Sequence, residues 1–164
     1  MTVEVRDAER NDAACIARIY NQGIEERVAT LETQLRTPEE RAGWLSDRSP
    51  RCPVLVAEDD SGVVGWASLN RFNPRPAYDH VADVSVYVTR ERRGQGSGRA
   101  LLNAVEVRAR TLGYHKLVLT AFPTNAAGRR LYDRCGFREV GIYREQGLLD
   151  GRWVDTLVME KLLR

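Results

Sequence analysis

Val84-Ser85-Val86-Tyr87-Val88-Thr89-Arg90-Glu91-Arg92-Arg93-Gly94-Gln95-Gly96-Ser97-Gly98-Arg99 is the stretch on which the reading of this chain turns. A β-branched strand runs into a short basic turn, then glycines at alternate positions, then a helix predicted to start near Ser97. Glycines let the backbone turn tightly with its N–H groups pointing inward, and a helix N-terminus adds the positive end of its dipole. That combination is an anion cradle, and a diphosphate is its natural guest. A Walker loop is excluded, because no Lys-Ser/Thr pair follows the glycines. A dinucleotide fingerprint starting at Gly94 would need Gly or Ala at position 99, where Arg99 stands, and it would fall far from a first βαβ unit. A glycine-rich connection without a ligand is the remaining alternative for the loop alone.

A second set of residues follows in order. After a helix predicted to run to Leu112 comes an apolar strand, Lys116-Leu117-Val118-Leu119-Thr120-Ala121. Asn125 then opens a helix containing Leu131-Tyr132-Asp133-Arg134-Cys135-Gly136-Phe137. Read as Arg93-x-x-Gly96-x-Gly98, the loop resembles the pyrophosphate loop of the GCN5-related N-acetyltransferases, which hold acetyl-CoA. Asn125 followed by Leu131-Tyr132-x-x-x-Gly136-Phe137 is similar to that family's second signature. The resemblance covers nearly the whole chain. It implies an α/β (α+β) fold with a mixed, mostly antiparallel sheet of about seven strands flanked by about four helices, splayed at the acetyl-CoA site.

The rest of the chain is consistent with such a fold. Its 164 residues suggest one domain over 1–164, long enough to bury a sizeable core. Val3-Glu4-Val5-Arg6 alternates like a first strand, and Asn11 or Asp12 is placed to cap a helix with Ile16, Ile19, Tyr20, Gly23 and Ile24 on one face. Thr37-Pro38-Glu39-Glu40 is a capping box with Pro at the first helical position, opening a helix that carries Trp44 and Leu45. Val54 to Glu58 and Val63 to Leu69 flank a hairpin turn at Asp60-Ser61-Gly62, and late strands are expected near Arg138 to Glu145 and Trp153 to Glu160.

Charge and cysteine usage narrow the partners. Lys and Arg number 25 against 23 Asp and Glu, and the arginines are scattered, so no nucleic-acid partner is indicated. Cys15, Cys52 and Cys135 show no Cys-x-x-Cys spacing, and Cys15 and Cys135 read as small core residues in a reducing compartment. His80 and His115 stand apart without a ligand cluster, so no metal is expected. No apolar run is long enough to span a bilayer and no signal-peptide pattern is present; a cytoplasmic location is expected.

Further segments resemble one subgroup of the family. Ile19-Tyr20-Asn21, Ala29-Thr30-Leu31-Glu32, Ala77-Tyr78, Ser85-Val86-Tyr87-Val88 and Gly151-Arg152-Trp153-Val154-Asp155 are similar to segments of the phosphinothricin, methionine sulfoximine and arsinothricin N-acetyltransferases. The resemblance implies acetylation of the α-amino group of a glutamate-like toxic amino acid, hence detoxification and resistance, by a homodimer. Acetyl transfer to a protein N-terminus or another amine is the second reading, and a coenzyme-A-binding module without turnover the third.

Roles follow from the resemblance and from chemistry. An α-ammonium must lose a proton before it attacks, and the subgroup places an acidic residue where Asp83 stands, which would act directly or through a water, or would simply cap the strand or pair with an Arg. An amide of the strand from Val86 through Tyr87 to Val88 would stabilise charge on the acetyl oxygen. Tyr132 would protonate the departing thiolate or simply pack on the sheet. Asn125 would contact the pantetheine arm or simply cap its helix. The cofactor set is then Val86, Tyr87, Val88, Arg93, Gly94, Gln95, Gly96, Ser97, Gly98, Arg99, Asn125 and Tyr132. The acceptor set is Tyr20, Thr30, Glu32, Arg75 and Tyr78, with Arg75 suited to a carboxylate. The chain departs from the subgroup at Asp83, where Glu is more usual, at Tyr132, where His is frequent, at Asn73, where Arg is frequent, and at Asp150, a negative charge unwelcome to an acidic acceptor if it points inward.

Overall fold

The structure, a computed structural model, describes residues 2–164. Seven strands, β1 (Glu4–Asp7), β2 (Val54–Asp59), β3 (Gly62–Arg71), β4 (Val81–Val88), β5 (Lys116–Ala121), β6 (Arg138–Leu149) and β7 (Arg152–Leu162), form one sheet in the order β1-β2-β3-β4-β5-β7-β6. Every neighbouring pair is antiparallel except β4 with β5. The described residues also form four α-helices, α1 (Ala13–Glu26), α2 (Pro38–Ser46), α3 (Ser97–Thr111) and α4 (Ala126–Arg134).

Alternation along the strands sends side chains to two different cores. On one face Leu55, Ala57, Ala67, Leu69, Ala82 and Val84 pack with Leu101, Leu102, Val105 and Ala109 of α3. On the other, Val54, Val56 and Trp66 pack with Ile16 and Ile19 of α1, with Trp44 of α2 partly buried against them. Each fully buried Leu or Ile contributes roughly 1.5–3 kcal/mol relative to exposure. The two cores fix α1 and α2 on one face and α3 on the other.

Thr37 caps α2 as expected: its hydroxyl accepts from the Glu40 amide at 3.1 Å and the Glu40 carboxylate from the Thr37 amide at 3.4 Å. The expectation for α1 needs correction. Asp12 sits at the N-cap, but its carboxylate does not cap the helix. It accepts from Arg6 at 2.8 and 3.0 Å and from the Glu9 amide at 2.7 Å, because a nearby guanidinium outcompetes the helix amides for a charged acceptor. The first strand begins at Glu4 rather than Val3, and β6 and β7 run several residues beyond their expected ends. Cys135 is buried at the end of α4, whereas Cys15 is only partly buried. Edge strand β6 and its partner β7 leave Val140, Ile142, Tyr143, Leu148 and Trp153 exposed.

Candidate active site

Strands β4 and β5 pair only at Val81–Lys116, Ala82–Leu117 and Asp83–Val118. Beyond that point β4 stays with β3 to Val88, while β5 follows β7 to Ala121. The sheet therefore opens into a V with Asp83 at its apex. The Thr89 amide donates to the Val64 carbonyl at 2.7 Å, so with strand alternation the amides of Tyr87 and Ser85 also face β3. Those of Val86 and Val88 face the opening, where no strand meets them. A cleft of about 910 Å³ fills it, with β4, the α1–α2 loop and the glycine loop on one side and Thr120, Phe122, Asn125 and α4 on the other.

The glycine loop is built as its sequence suggests. Gly94 and Gly96 have φ of +74° and +95°, a region that side chains rarely enter, and Gly96 is the N-cap of α3. A Cβ at either would meet nothing within 4 Å, so the loop is open on its cleft side. The amides of residues 94–99 find no acceptor among the described residues. Unpaired amides at a helix start suit the diphosphate of coenzyme A. The side chains of this segment behave differently from its backbone. Arg93 donates to both carboxylate oxygens of Glu26 at 2.7 Å and, through Nε, to the Val88 carbonyl at 3.2 Å. It is thus a strut between α1, β4 and the loop. Gln95 donates to the Glu91 carbonyl at 3.3 Å, and neither Gln95 nor Ser97 lines the cleft.

Asp83, Ser85 and Tyr87 project from β4 to the α1 side, opposite Ala82 and Val84. Burial pushes the Asp83 carboxyl up to about 6, and a hydrogen bond from Asn70 pulls the other way. The Tyr87 ring stacks on Trp66 at 5.0 Å and meets Tyr20 edge-on at 5.0 Å. Burial raises the Tyr87 phenol well above its ordinary value, with Tyr20, Tyr132 and Asp83 adding to the effect and a hydrogen bond with Thr30 opposing it. Asp83 and Tyr132 are therefore both within electrostatic reach of one hydroxyl. Tyr20, Thr30 and Glu32 line the same end of the cleft. The Glu32 carboxylate is occupied in ordering its own loop, accepting from the amides of Thr33 at 2.9 Å and Gln34 at 3.0 Å and pairing with Arg36.

From the opposite wall, Asn125 caps α4 by accepting from the Gly128 amide at 3.0 Å while lining the cleft. Tyr132 packs edge-on against Phe137 at 6.1 Å, and burial pushes its phenol up to about 12. It is a weaker acid than its sequence alone suggests. Arg75 and Tyr78 lie on the exposed loop between β3 and β4 and do not line the cleft. Asp150 pairs with Arg27 at 3.0 Å, so its charge is spent on tying the β6–β7 turn to the end of α1. Sequence reasoning gave no role to four cleft residues: Glu26, far from Arg93 in sequence, Ser85, which lies inside a resembling segment, and Arg130 and Arg134 on α4. A helical spacing of Arg130 and Arg134 on one face after Asn125 was the available signal. Among the described residues no group of three or more His, Cys, Asp or Glu could hold a metal ion, and no helix is long and apolar enough to cross a membrane.

A sheet splayed beside an amide-lined glycine loop suits acyl transfer from coenzyme A. Residues 16–137 match the acetyltransferase (GNAT) family, and the chain belongs to that family. It is accordingly an acetyltransferase with acetyl-CoA as its acetyl donor. It is similar to the L-methionine sulfoximine/L-methionine sulfone acetyltransferase of Pseudomonas aeruginosa, 34% identical over 162 residues, 98% of this chain and 94% of that protein. It is also similar to the phosphinothricin N-acetyltransferase of Streptomyces coelicolor, 31% identical over 98% of this chain and 96% of that protein. The crystal structure of a GNAT superfamily phosphinothricin acetyltransferase from Sinorhizobium meliloti in complex with acetyl-CoA superposes with a TM-score of 0.92 at 32% identity, covering 99% of this chain and 89% of that one.

Proposed function

We propose that the protein transfers an acetyl group to the α-amino group of a glutamate-like toxic amino acid of the phosphinothricin, methionine sulfoximine or arsinothricin type, and so confers resistance to it. The similarity to two named enzymes of that activity over nearly the whole chain supports the substrate class. The observation that carries the chemistry is the raised carboxyl of Asp83 at the apex of the splay.

The coenzyme supplies an activated acetyl thioester. Asp83, ionised above about pH 6, takes the proton from the acceptor ammonium at a carboxylate oxygen, directly or through a water. The Val86 or Val88 amide, facing the opening, donates to the acetyl oxygen as negative charge gathers there. Tyr132 stays protonated across the physiological range and donates a hydrogen bond to the departing sulfur. Tyr20, Thr30 and Glu32 shape the acceptor end. Arg75 and Tyr78 stay in this reading through their sequence match alone, and an unchanged acceptor KM in Arg75→Ala would remove Arg75.

The same reading has the enzyme working in the cytoplasm as a homodimer. The exposed apolar residues of β6 and β7 support a covered surface there, and the free cysteines suit a reducing compartment. Acetyl-CoA-dependent thiol release across a panel of amines tests the function. Release with phosphinothricin or methionine sulfoximine supports it. Release only with peptides or polyamines, or tight coenzyme binding without release, contradicts it.

A further inference from the structure

The arginines lining the cleft fall into two sets. Arg92 is held by Asp59 at 2.8 Å and Arg93 by Glu26 at 2.7 Å. Arg99, Arg130 and Arg134 have no carboxylate within ion-pair distance among the described residues. They also converge. A Cβ added to Gly98 would lie 2.9 Å from the Leu131 side chain, so the first turn of α3 meets α4 at the residues next to Arg99 and Arg130. Arg134 follows one turn later on the face of Arg130, and Arg99 is close enough to perturb the Cys135 thiol beside Arg134. Asp133 neither lines the cleft nor forms an ion pair.

Guanidiniums lining one cleft repel each other, and the other two arginines of this cleft are neutralised by Asp59 and Glu26. The arrangement suits an anion that arrives with the ligand. It need not be the diphosphate, which the amides of residues 94–99 can hold themselves. Coenzyme A carries a further phosphate, the monoester on its ribose, with a charge of about −1.5 to −2 at neutral pH and oxygens matched to guanidinium forks. We propose that Arg130 and Arg134, with Arg99, form a subsite for the ribose 3′-phosphate and select coenzyme A over its dephospho form. This rests on the coenzyme lying in the glycine loop but not on the identity of the acceptor.

Calorimetry on the whole protein at low salt tests it, without any turnover. Coenzyme A and 3′-dephospho-coenzyme A are titrated into the native chain and into Arg130→Gln, Arg134→Gln and the double variant. The native chain should prefer coenzyme A by on the order of 10- to 100-fold. The double variant should lose most of that preference while its affinity for the dephospho form stays within about twofold. Adenosine 3′,5′-bisphosphate should compete with coenzyme A, and inorganic phosphate at equal concentration should not. No preference in the native chain overturns the proposal, as does an equal loss for both ligands in the double variant. Competition by inorganic phosphate alone assigns the arginines to a free anion and overturns it too. Thermal melts of each variant establish that the comparison is made on folded protein. Failure of the proposed acetyl transfer would leave these binding constants unchanged, so the two readings fail separately.

Discussion

Asp83 and Val118 are the last residues at which β4 and β5 pair, and the carboxyl of Asp83 sits where the sheet begins to open. A charged group at that point is poorly solvated by water, and Asn70 offsets only part of the cost. The same placement aims it at whatever enters between the strands. A cost to the fold and, in the proposed mechanism, an advantage to the chemistry thus come from one position.

Asp83→Asn separates the two. Its amide has the shape of the carboxyl but cannot take a proton, so turnover is expected to fall on the order of 10²- to 10⁴-fold, with the Kd for acetyl-CoA unchanged. Removing a buried charge should also raise stability above pH 6, by up to about 2–3 kcal/mol for a shift of this size. Denaturant unfolding at pH 8 measures it. A variant that loses turnover and coenzyme affinity equally would show that Asp83 shapes the site rather than acting in it.

The pH dependence has a definite sign. Folding raises the Asp83 pKa from 3.8 to about 6, so ionising this group is harder in the fold than in the unfolded chain. Its unfavourable contribution is absent below pH 4, grows between pH 4 and 6, and is complete above 6. In the proposed mechanism activity runs the other way, since only the carboxylate can take the proton. With a saturating acceptor, kcat should rise through an apparent pKa near 6, and Asp83→Asn should lack that limb.

Tyr132→Phe is expected to cost on the order of tenfold in kcat. A phenol near 12 cannot fully protonate a thiolate whose conjugate acid lies near about 8.5, so the hydroxyl contributes a hydrogen bond to the leaving sulfur. No alkaline loss of activity below pH 10 should trace to this residue. A pre-steady-state measurement of thiol release gives the number, and an unaltered rate would assign leaving-group stabilisation to water.

Gly98→Ala should weaken acetyl-CoA binding through geometry alone. The new methyl would lie 2.9 Å from a Leu131 methyl, so the Leu131 side chain or the contact of α3 with α4 must shift beside the end of the glycine loop. Overpacking of this kind costs about 1–3 kcal/mol. Titration with acetyl-CoA together with a thermal melt checks both effects, and an unchanged Kd would show that the loop adjusts independently of α4.

What was legible in the sequence was local. The strand-loop-helix from Val84, the capping box at Thr37 and the cap at Asn125 are each set by residues a few positions apart, and each forms as expected. Where a partner outside the local motif competes, local signals fail. Arg6 takes the carboxylate of Asp12 from its helix, Glu26 takes the guanidinium of Arg93 from the cofactor loop, and Arg27 neutralises Asp150. The raised carboxyl of Asp83 and phenol of Tyr132 arise from burial, which spacing along a chain does not report.

The most direct measurement is a titration of isotope-labelled protein with acetyl-CoA, followed through backbone amide resonances. Amides of residues 94–99 together with those of Val86 and Val88 should move most, while those of β1 stay still. Perturbations confined to another surface, with the loop and β4 unmoved, would contradict main-chain capture of the coenzyme at the open edge of the sheet.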